Sequence, residues 1–383
     1  MRTRIAAVAV SGIVALAACQ TALPFGSMPA LIGHAGTARQ GGRVQSGQLP
    51  RKFEKLFVGT IGTNLRVRMD LFSDDGKLYG EYFYERIGTS IAVDGEISAK
   101  GDFTLSERNN DGTPTANFKG VAALHSVRGK PQVVLSGTWS SVATGGAQAK
   151  SFPFSISEEV FDLGPGLDLS SKTLNQSYKK PSYAVDLDYP QITGSNPAAA
   201  AFDRQVEALV QKKLAEFKKQ VAGAGGDDSG DQTGSSFSVG YTIEAATPDL
   251  ISVQLGVGEF YSGAAHPNGY SVTINYDLKS GKEIALKDLF TAGSPYLQTI
   301  SKICMAKLKN KLGSDSDAQW ILGGAGPKAE NYKSWNVTTT GLEITFDAYQ
   351  VAAYAFGSQE VFIQYSDLKS IIKTDGPLAA FLR

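Results

Sequence analysis

Cysteine is nearly missing from this chain. Cys19 and Cys304 are the two that 383 positions supply, too few for the disulfide framework that staples small secreted domains. An excess of charge of one sign is missing as well. The 37 basic and 37 acidic side chains cancel to a formal net charge of zero, which argues against a general nucleic-acid or anionic-membrane binder. Histidine is scarce, at three residues: His34, His125 and His266. None has a histidine or cysteine companion at metal-ligand spacing. Signatures of common catalytic machinery are absent too: no G-x-S-x-G, no Cys–His pairing, no H-E-x-x-H. Gly323-Gly324-Ala325-Gly326 is not followed by the Lys-Ser/Thr of a phosphate-cradling loop. Sequence alone therefore assigns no catalytic residue, no metal and no cofactor.

One long apolar run exists, and it stands at the N-terminus. Arg2 and Arg4 precede Ile5 to Ala18, which ends at Leu16-Ala17-Ala18-Cys19. Positive charge, a short apolar stretch and small residues before a cut describe a secretory signal, too short for a stable membrane span. The segment resembles a bacterial lipobox. That resemblance implies cleavage before Cys19 and a lipoprotein acylated there by a diacylglyceryl group and a fatty acid such as palmitate. Buried acyl chain contributes about 0.8 kcal/mol per methylene, enough with two or three chains for lasting attachment. Gln20, in place of an aspartate, implies sorting to the outer membrane on its periplasmic side, with surface exposure as an alternative. Residues 20–50 are rich in Gly, Ala, Ser and Pro without periodicity and read as a flexible tether.

From 51 to 160 the grammar is alternation with tight turns. Leu65 to Leu71 alternates apolar and polar residues, placing one face on a core and one in water. Asp75-Gly76 turns it into a second strand from Leu78 to Tyr84. Further strands are expected at Ser90–Ile97, Asp102–Glu107, Ala116–Val121, Val133–Trp139 and Phe152–Ile156. Short, evenly spaced strands predict an all-β antiparallel sandwich or partly open barrel. Tyr82, Phe83 and Tyr84 put aromatics on both faces of one strand, as for a strand between two layers or a binding surface.

Residues 161–181, with Gly164-Pro165-Gly166 and Lys179-Lys180-Pro181, read as a linker. Residues 182–383 are mixed. Asn196-Pro197 opens a helix whose Phe202, Val206, Leu209, Val210, Leu214, Phe217 and Val221 share one face, with Lys218 and Lys219 closing it. Asp227-Asp228-Ser229-Gly230-Asp231 superficially resembles a calcium loop but lacks its spacing and closing glutamate. Strands follow at Phe237–Ala245, Leu250–Gly258 and Tyr270–Leu278. A helix capped by Ser294-Pro295 comes next, with Cys304 as a small buried apolar residue and Gly313 at its end. Strands at Trp335–Thr339, Leu342–Phe346 and Val361–Gln364 and a short helix from Ser366 complete the chain. The expected fold is α+β, an antiparallel sheet with helices on one face.

Glu259 to Asn268, with Gly263-Ala264-Ala265-His266-Pro267-Asn268, joins two strands and runs on to Asn275-Tyr276-Asp277-Leu278. With Tyr189-Pro190-Gln191-Ile192 before it and Phe346 to Gly357 after it, this stretch resembles the exported outer half of RsiV-type anti-sigma factors. That domain, of unknown function, is often preceded by a segment shared with PdaC-type peptidoglycan deacetylases. The likeness spans about Tyr183 to Ile372, with Ala264 where the family often has glycine. Sigma-factor signalling does not carry over, because a lipid anchor and a β domain stand in place of the transmembrane and sigma-binding segments. The resemblance implies a binding module: RsiV-type domains recognise lysozyme, and the deacetylase-associated segment engages cell wall.

The candidate ligand residues are Tyr261, His266, Asn268, Tyr276, Asp277, Tyr349 and Tyr354. Tyrosines offer an apolar face and a polar tip suited to glycans and proteins. Each has a plainer reading. His266 can fix its loop by bonding a carbonyl, Asp277 can accept turn amides, and the tyrosines can be core. The expected function is a lipid-anchored, non-catalytic envelope protein that recognises a lysozyme-like wall-degrading protein or peptidoglycan. The alternatives are a wall-glycan enzyme using His266 and Asp277, and a structural assembly lipoprotein.

Overall fold

The computed structural model describes residues 52–109, 112–127, 130–143, 148–223, 234–313 and 316–382. The signal segment, Cys19, the tether and the Asp227–Asp231 loop lie outside the described residues. No described helix is long and apolar enough to cross a membrane.

Eight strands make the first unit: β1 (Lys52–Ile61), β2 (Leu65–Asp74), β3 (Lys77–Tyr84), β4 (Ile91–Ile97), β5 (Asp102–Arg108), β6 (Pro114–Val127), β7 (Lys130–Ser141) and β8 (Ser151–Glu158). Each pairs antiparallel with the next, and β1 pairs with β8, so the sheet closes into a barrel. Closure is the solution to the edge problem that the alternation left open between sandwich and barrel. Phe57, Met69, Tyr82, Leu105, Phe118 and Leu135 fill the bore. Gly80 lets β2 and β3 coil tightly, since a Cβ there would stand 2.0 Å from the Asp70 carbonyl oxygen.

The second unit begins inside the segment read as a linker. Residues 168–179 form a strand, β9 (Asp168–Lys179), paired along its length with β10 (Ser182–Thr193). Its sequence, DLSSKTLNQSYK, is largely polar because β9 lies at the sheet edge. Hydrogen bonds to β10 along its length hold it there, with only Leu169, Leu174 and Tyr178 partly buried against the core, too few to leave a periodic trace. Helix α1 (Pro197–Gly223) crosses over to β11 (Ser235–Ala246), which makes β10–β11 a parallel pair. β12 (Leu250–Phe260), β13 (Asn268–Asp277) and β14 (Lys282–Glu283) continue the sheet antiparallel. Asn196 caps α1 by accepting from the Ala198 and Ala199 amides at 2.8 and 3.1 Å. The helix runs one turn beyond Lys218 and Lys219, and its apolar stripe packs on the sheet face presented by Val253, Leu255 and Ile274.

Behind the opposite face lies a third layer: α2 (Tyr296–Leu312), α3 (Ala318–Ala325), and a small sheet of β15 (Trp335–Val337), β16 (Gly341–Phe346) and β17 (Gln359–Gln364), followed by α4 (Tyr365–Leu368). Pro295, not Ser294, occupies the N-cap of α2, which has no side-chain cap. Cys304 is fully buried, and burial pushes its thiol up, as suits an inert core residue. The layers meet through polar side chains. Asn275 donates to the Trp335 carbonyl and accepts from the Val337 amide, at 2.8 and 2.9 Å.

Barrel and second unit are packed together. Phe83 points out of the barrel onto Phe362, with ring centroids 5.5 Å apart. Tyr82, on the other face, lies in the bore. The aromatic run thus belongs to a strand between two layers. Arg68, on the β2 face expected to meet water, is buried between Glu159 at 3.5 Å and Glu244 at 3.3 Å. Glu244 sits at the bulge where β11 slips register against β12, the irregularity that re-aims a side chain. Glu85, also buried, accepts from Arg66, Thr340 and Gln364 at 2.9, 2.8 and 3.2 Å.

Candidate functional site: an aromatic arch

Three segments of the second unit meet at one surface. They are the β12–β13 loop carrying His266, the β16–β17 connection carrying Tyr349 and Tyr354, and α3 carrying Trp320. His266 stacks on Tyr354 with centroids 4.1 Å apart and planes at 28°. Tyr354 in turn lies 5.4 Å from Tyr349, tilted by 33°. The three rings form a continuous arch, and Tyr349 at its end is 54% exposed.

Hydrogen bonds lock the arch to its supports. Tyr354 donates its hydroxyl to the Pro267 carbonyl at 2.7 Å, and His266 Nδ1 lies 2.9 Å from the same oxygen. A carbonyl only accepts, so this contact places the imidazole proton on Nδ1. Trp320 Nε1 donates to the Tyr349 carbonyl at 2.9 Å. Gln350 Nε2 donates to the Gly324 and Asn331 carbonyls, both at 3.0 Å. Asp347 Oδ1 accepts the Ser271 amide at 2.9 Å, tying the connection to β13. Burial pushes the Asp347 carboxyl above its ordinary value, and the Ser271 bonds partly offset this.

Two features show how closely these pieces fit. Tyr349 has φ of +69°, a left-handed backbone that costs a bulky residue about 1–2 kcal/mol. Gly324 lies so near the connection that a Cβ would stand 1.8 Å from the Gln350 carbonyl oxygen. The glycine run that failed as a phosphate loop is thus a packing surface for the arch.

The other expected site residues are elsewhere or otherwise engaged. Asn268 is exposed at the start of β13, in the loop of His266. Tyr261 packs on Phe217 of α1 and donates to Glu259 at 3.2 Å, while Tyr270 donates to the second Glu259 oxygen at 3.0 Å. Burial, then Glu259, pushes the Tyr261 hydroxyl up to about 12. Tyr276 is core, packed on Phe202 and donating to the Gly281 carbonyl at 2.7 Å. Asp277 accepts the Lys279 and Ser280 amides at 2.8 and 3.1 Å, an Asx turn. Burial alone would raise its carboxyl; the Ser280 and Lys279 amides more than offset that and hold it below its ordinary value. Asn268 and Asp277 mark opposite ends of β13, roughly 30 Å apart at strand rise. His266 and Asp277 therefore do not form an acid–base pair.

Trp320 and Leu322 were not anticipated. The available signal was Asp317, which accepts the Gln319 and Trp320 amides at 2.8 and 3.0 Å and so starts α3. That α3 lies beside Tyr349 could not be read from it.

Most of the arch lies within one recognised segment. Residues 287–366 match a family described as "Protein of unknown function (DUF3298)". Trp320, Tyr349 and Tyr354 fall inside this DUF3298 segment, and His266 precedes it. The chain is 27% identical over 201 residues to the peptidoglycan-N-acetylmuramic acid deacetylase PdaC of Bacillus subtilis (strain 168), an alignment covering 52% of this chain. It spans 41% of that protein's length. Among solved structures, a DUF3298 member from Bacteroides fragilis is 16% identical, covering 57% of this chain and 98% of its own, with a TM-score of 0.44. One from Pseudomonas aeruginosa PAO1 is 20% identical, covering 55% and 97%, with a TM-score of 0.39.

Proposed function

We propose that this protein is a non-catalytic binding protein of the cell envelope, anchored to the outer membrane through acylated Cys19, and that its aromatic arch binds peptidoglycan. The observation that carries the reading is the arch itself. Rings of His266, Tyr354 and Tyr349 stack in succession at the surface, one of them on a strained backbone. Strain of this kind persists where the surrounding structure enforces it, and it clusters at functional sites. Flat aromatic faces suit the C–H faces of sugar rings, and the tyrosine hydroxyls suit their polar edges. The named substrate of the Bacillus subtilis relative supports a wall-related role.

A protein ligand, a lysozyme-like wall-degrading enzyme, is the second reading. Leu322, 49% exposed on the same short helix as Trp320, favours it, because an apolar side chain beside Tyr and Trp is how protein interfaces are anchored.

The test is co-sedimentation of the full chain with purified sacculi, in parallel with capture on immobilised lysozyme. Peptidoglycan binding predicts co-sedimentation that Tyr354→Ala weakens while circular dichroism stays unchanged. Capture by lysozyme alone would move the assignment to the second reading, and binding to neither would remove both. Mass spectrometry of the mature N-terminus checks the anchor independently.

A further inference from the structure

Apart from Tyr79, Val121 and Val127, the exposed large apolar side chains among the described residues fall in two places. Trp320, Leu322 and Tyr349 belong to the arch. Leu65, Ile87, Val142 and Phe152 surround one end of the barrel. At this end the inward-facing positions of successive strands are apolar yet reach solvent. Leu65 is 45% and Phe152 37% exposed, and Tyr84, Ile91 and Trp139 are half-buried against the barrel core. Trp139 and Phe152 stack across β7 and β8 with centroids 6.0 Å apart. Deeper in, Phe118 and Phe154 meet edge-on at 5.2 Å and close the bore. Above that pair, the side chains of Leu65, Tyr84, Ile91, Trp139 and Phe152 ring the mouth.

Glu107, bonded to Trp139 of this ring, is 9% exposed. Its carboxylate accepts from Tyr82 at 2.6 Å and Trp139 Nε1 at 3.1 Å on one oxygen, and from Thr115 at 2.7 Å on the other. All three donors are neutral. A carboxylate offers about four acceptor positions, so one is left on the Thr115 side. No lysine or arginine pairs with Glu107 among the described residues. Buried carboxylates are ordinarily matched by a cation, and this one has only hydrogen bonds.

We infer that the barrel mouth is a binding site for a small organic cation, an ammonium group on a short apolar or aromatic stem. The ammonium would take the vacant acceptor position of Glu107, and the stem would lie against Trp139 and Phe152. Filling of the bore limits the ligand to a head group of about ring size. The arch is on the other unit, so this inference is independent of peptidoglycan binding.

The experiment titrates the full chain with 2-phenylethylammonium chloride, with 2-phenylethanol as neutral isostere, by calorimetry and tryptophan emission. The expected result is saturable binding of the cation at least tenfold tighter than of the alcohol. Glu107→Gln should abolish that preference, Trp139→Phe should remove the emission change, and Tyr354→Ala should alter neither. Absence of cation binding overturns the inference, as does an unchanged preference in Glu107→Gln or loss through Tyr354→Ala. Should Glu107→Gln fail to fold, Phe152→Ala at the exposed rim decides. It must weaken the cation at least fivefold, and an unchanged affinity overturns the site.

Discussion

Trp320 Nε1 and the Tyr349 carbonyl are joined at 2.9 Å across 29 positions of sequence. The residue with the left-handed backbone is therefore pinned by a different element from the one that carries it. A backbone held this way presents its side chain from a fixed point before any ligand arrives, which lowers the entropic cost of binding.

Replacing Tyr349 should separate strain from recognition. In Tyr349→Gly the φ of +69° becomes unstrained, a gain of about 1 kcal/mol that the flexible glycine offsets in the unfolded chain. Urea denaturation should thus show stability within about 1 kcal/mol of the parent. Retention on sacculi should fall by about fivefold or more, the scale of an anchoring side chain.

Gly324→Ala should act on the support instead. Its Cβ would stand 1.8 Å from the Gln350 oxygen, and backbone on both sides leaves little room to yield. A loss of about 1–3 kcal/mol is expected on urea denaturation. Trp320 emission should shift to the red as its indole separates from Tyr349.

Arg68 offers a test of how the two units are coupled. Its guanidinium is the cation lying between buried Glu159 and Glu244. Arg68→Ala strips those carboxylates of it at a cost of about 3–5 kcal/mol. Differential scanning calorimetry should resolve two transitions in the variant, because the barrel and the α+β unit keep their own cores. A single undivided transition would show that other interface contacts suffice.

Asp347 gives a pH dependence with a definite sign. Its carboxyl is raised by burial, so the folded state holds the proton more tightly than the unfolded one. Stability from this residue is greatest at low pH and falls as pH rises from the ordinary carboxylate value through the raised one. Asp347→Asn keeps an acceptor for the Ser271 amide and removes the titration. The drop in urea midpoint across that window should be smaller in the variant than in the parent.

Local grammar made much of the fold legible. Alternation from Leu65 to Leu71, the Asp75-Gly76 turn and the stripe from Phe202 to Val221 each became the expected element. The misses have one cause. β9 is largely polar, with few apolar side chains against the core, and is paired along its length with β10, and Arg68 is buried by a different unit. Neither environment is written in the residues themselves. The site divided in the same way. His266, Tyr349 and Tyr354 were marked by residue type and converged, whereas Tyr276 and Asp277 had the same types and turned out to be core and turn.

Sequence by itself determined where most strands and the two long helices run and which of their faces are apolar, because those preferences act over a few neighbouring positions. Tertiary structure alone decided that the barrel closes and that a bulge aims Glu244 at Arg68. It alone decided that Glu107 is buried without a cation among the described residues, and that a histidine, two tyrosines and a tryptophan from three segments share one surface. Those outcomes depend on contacts between residues far apart in sequence, whose geometry exists only after the layers have packed.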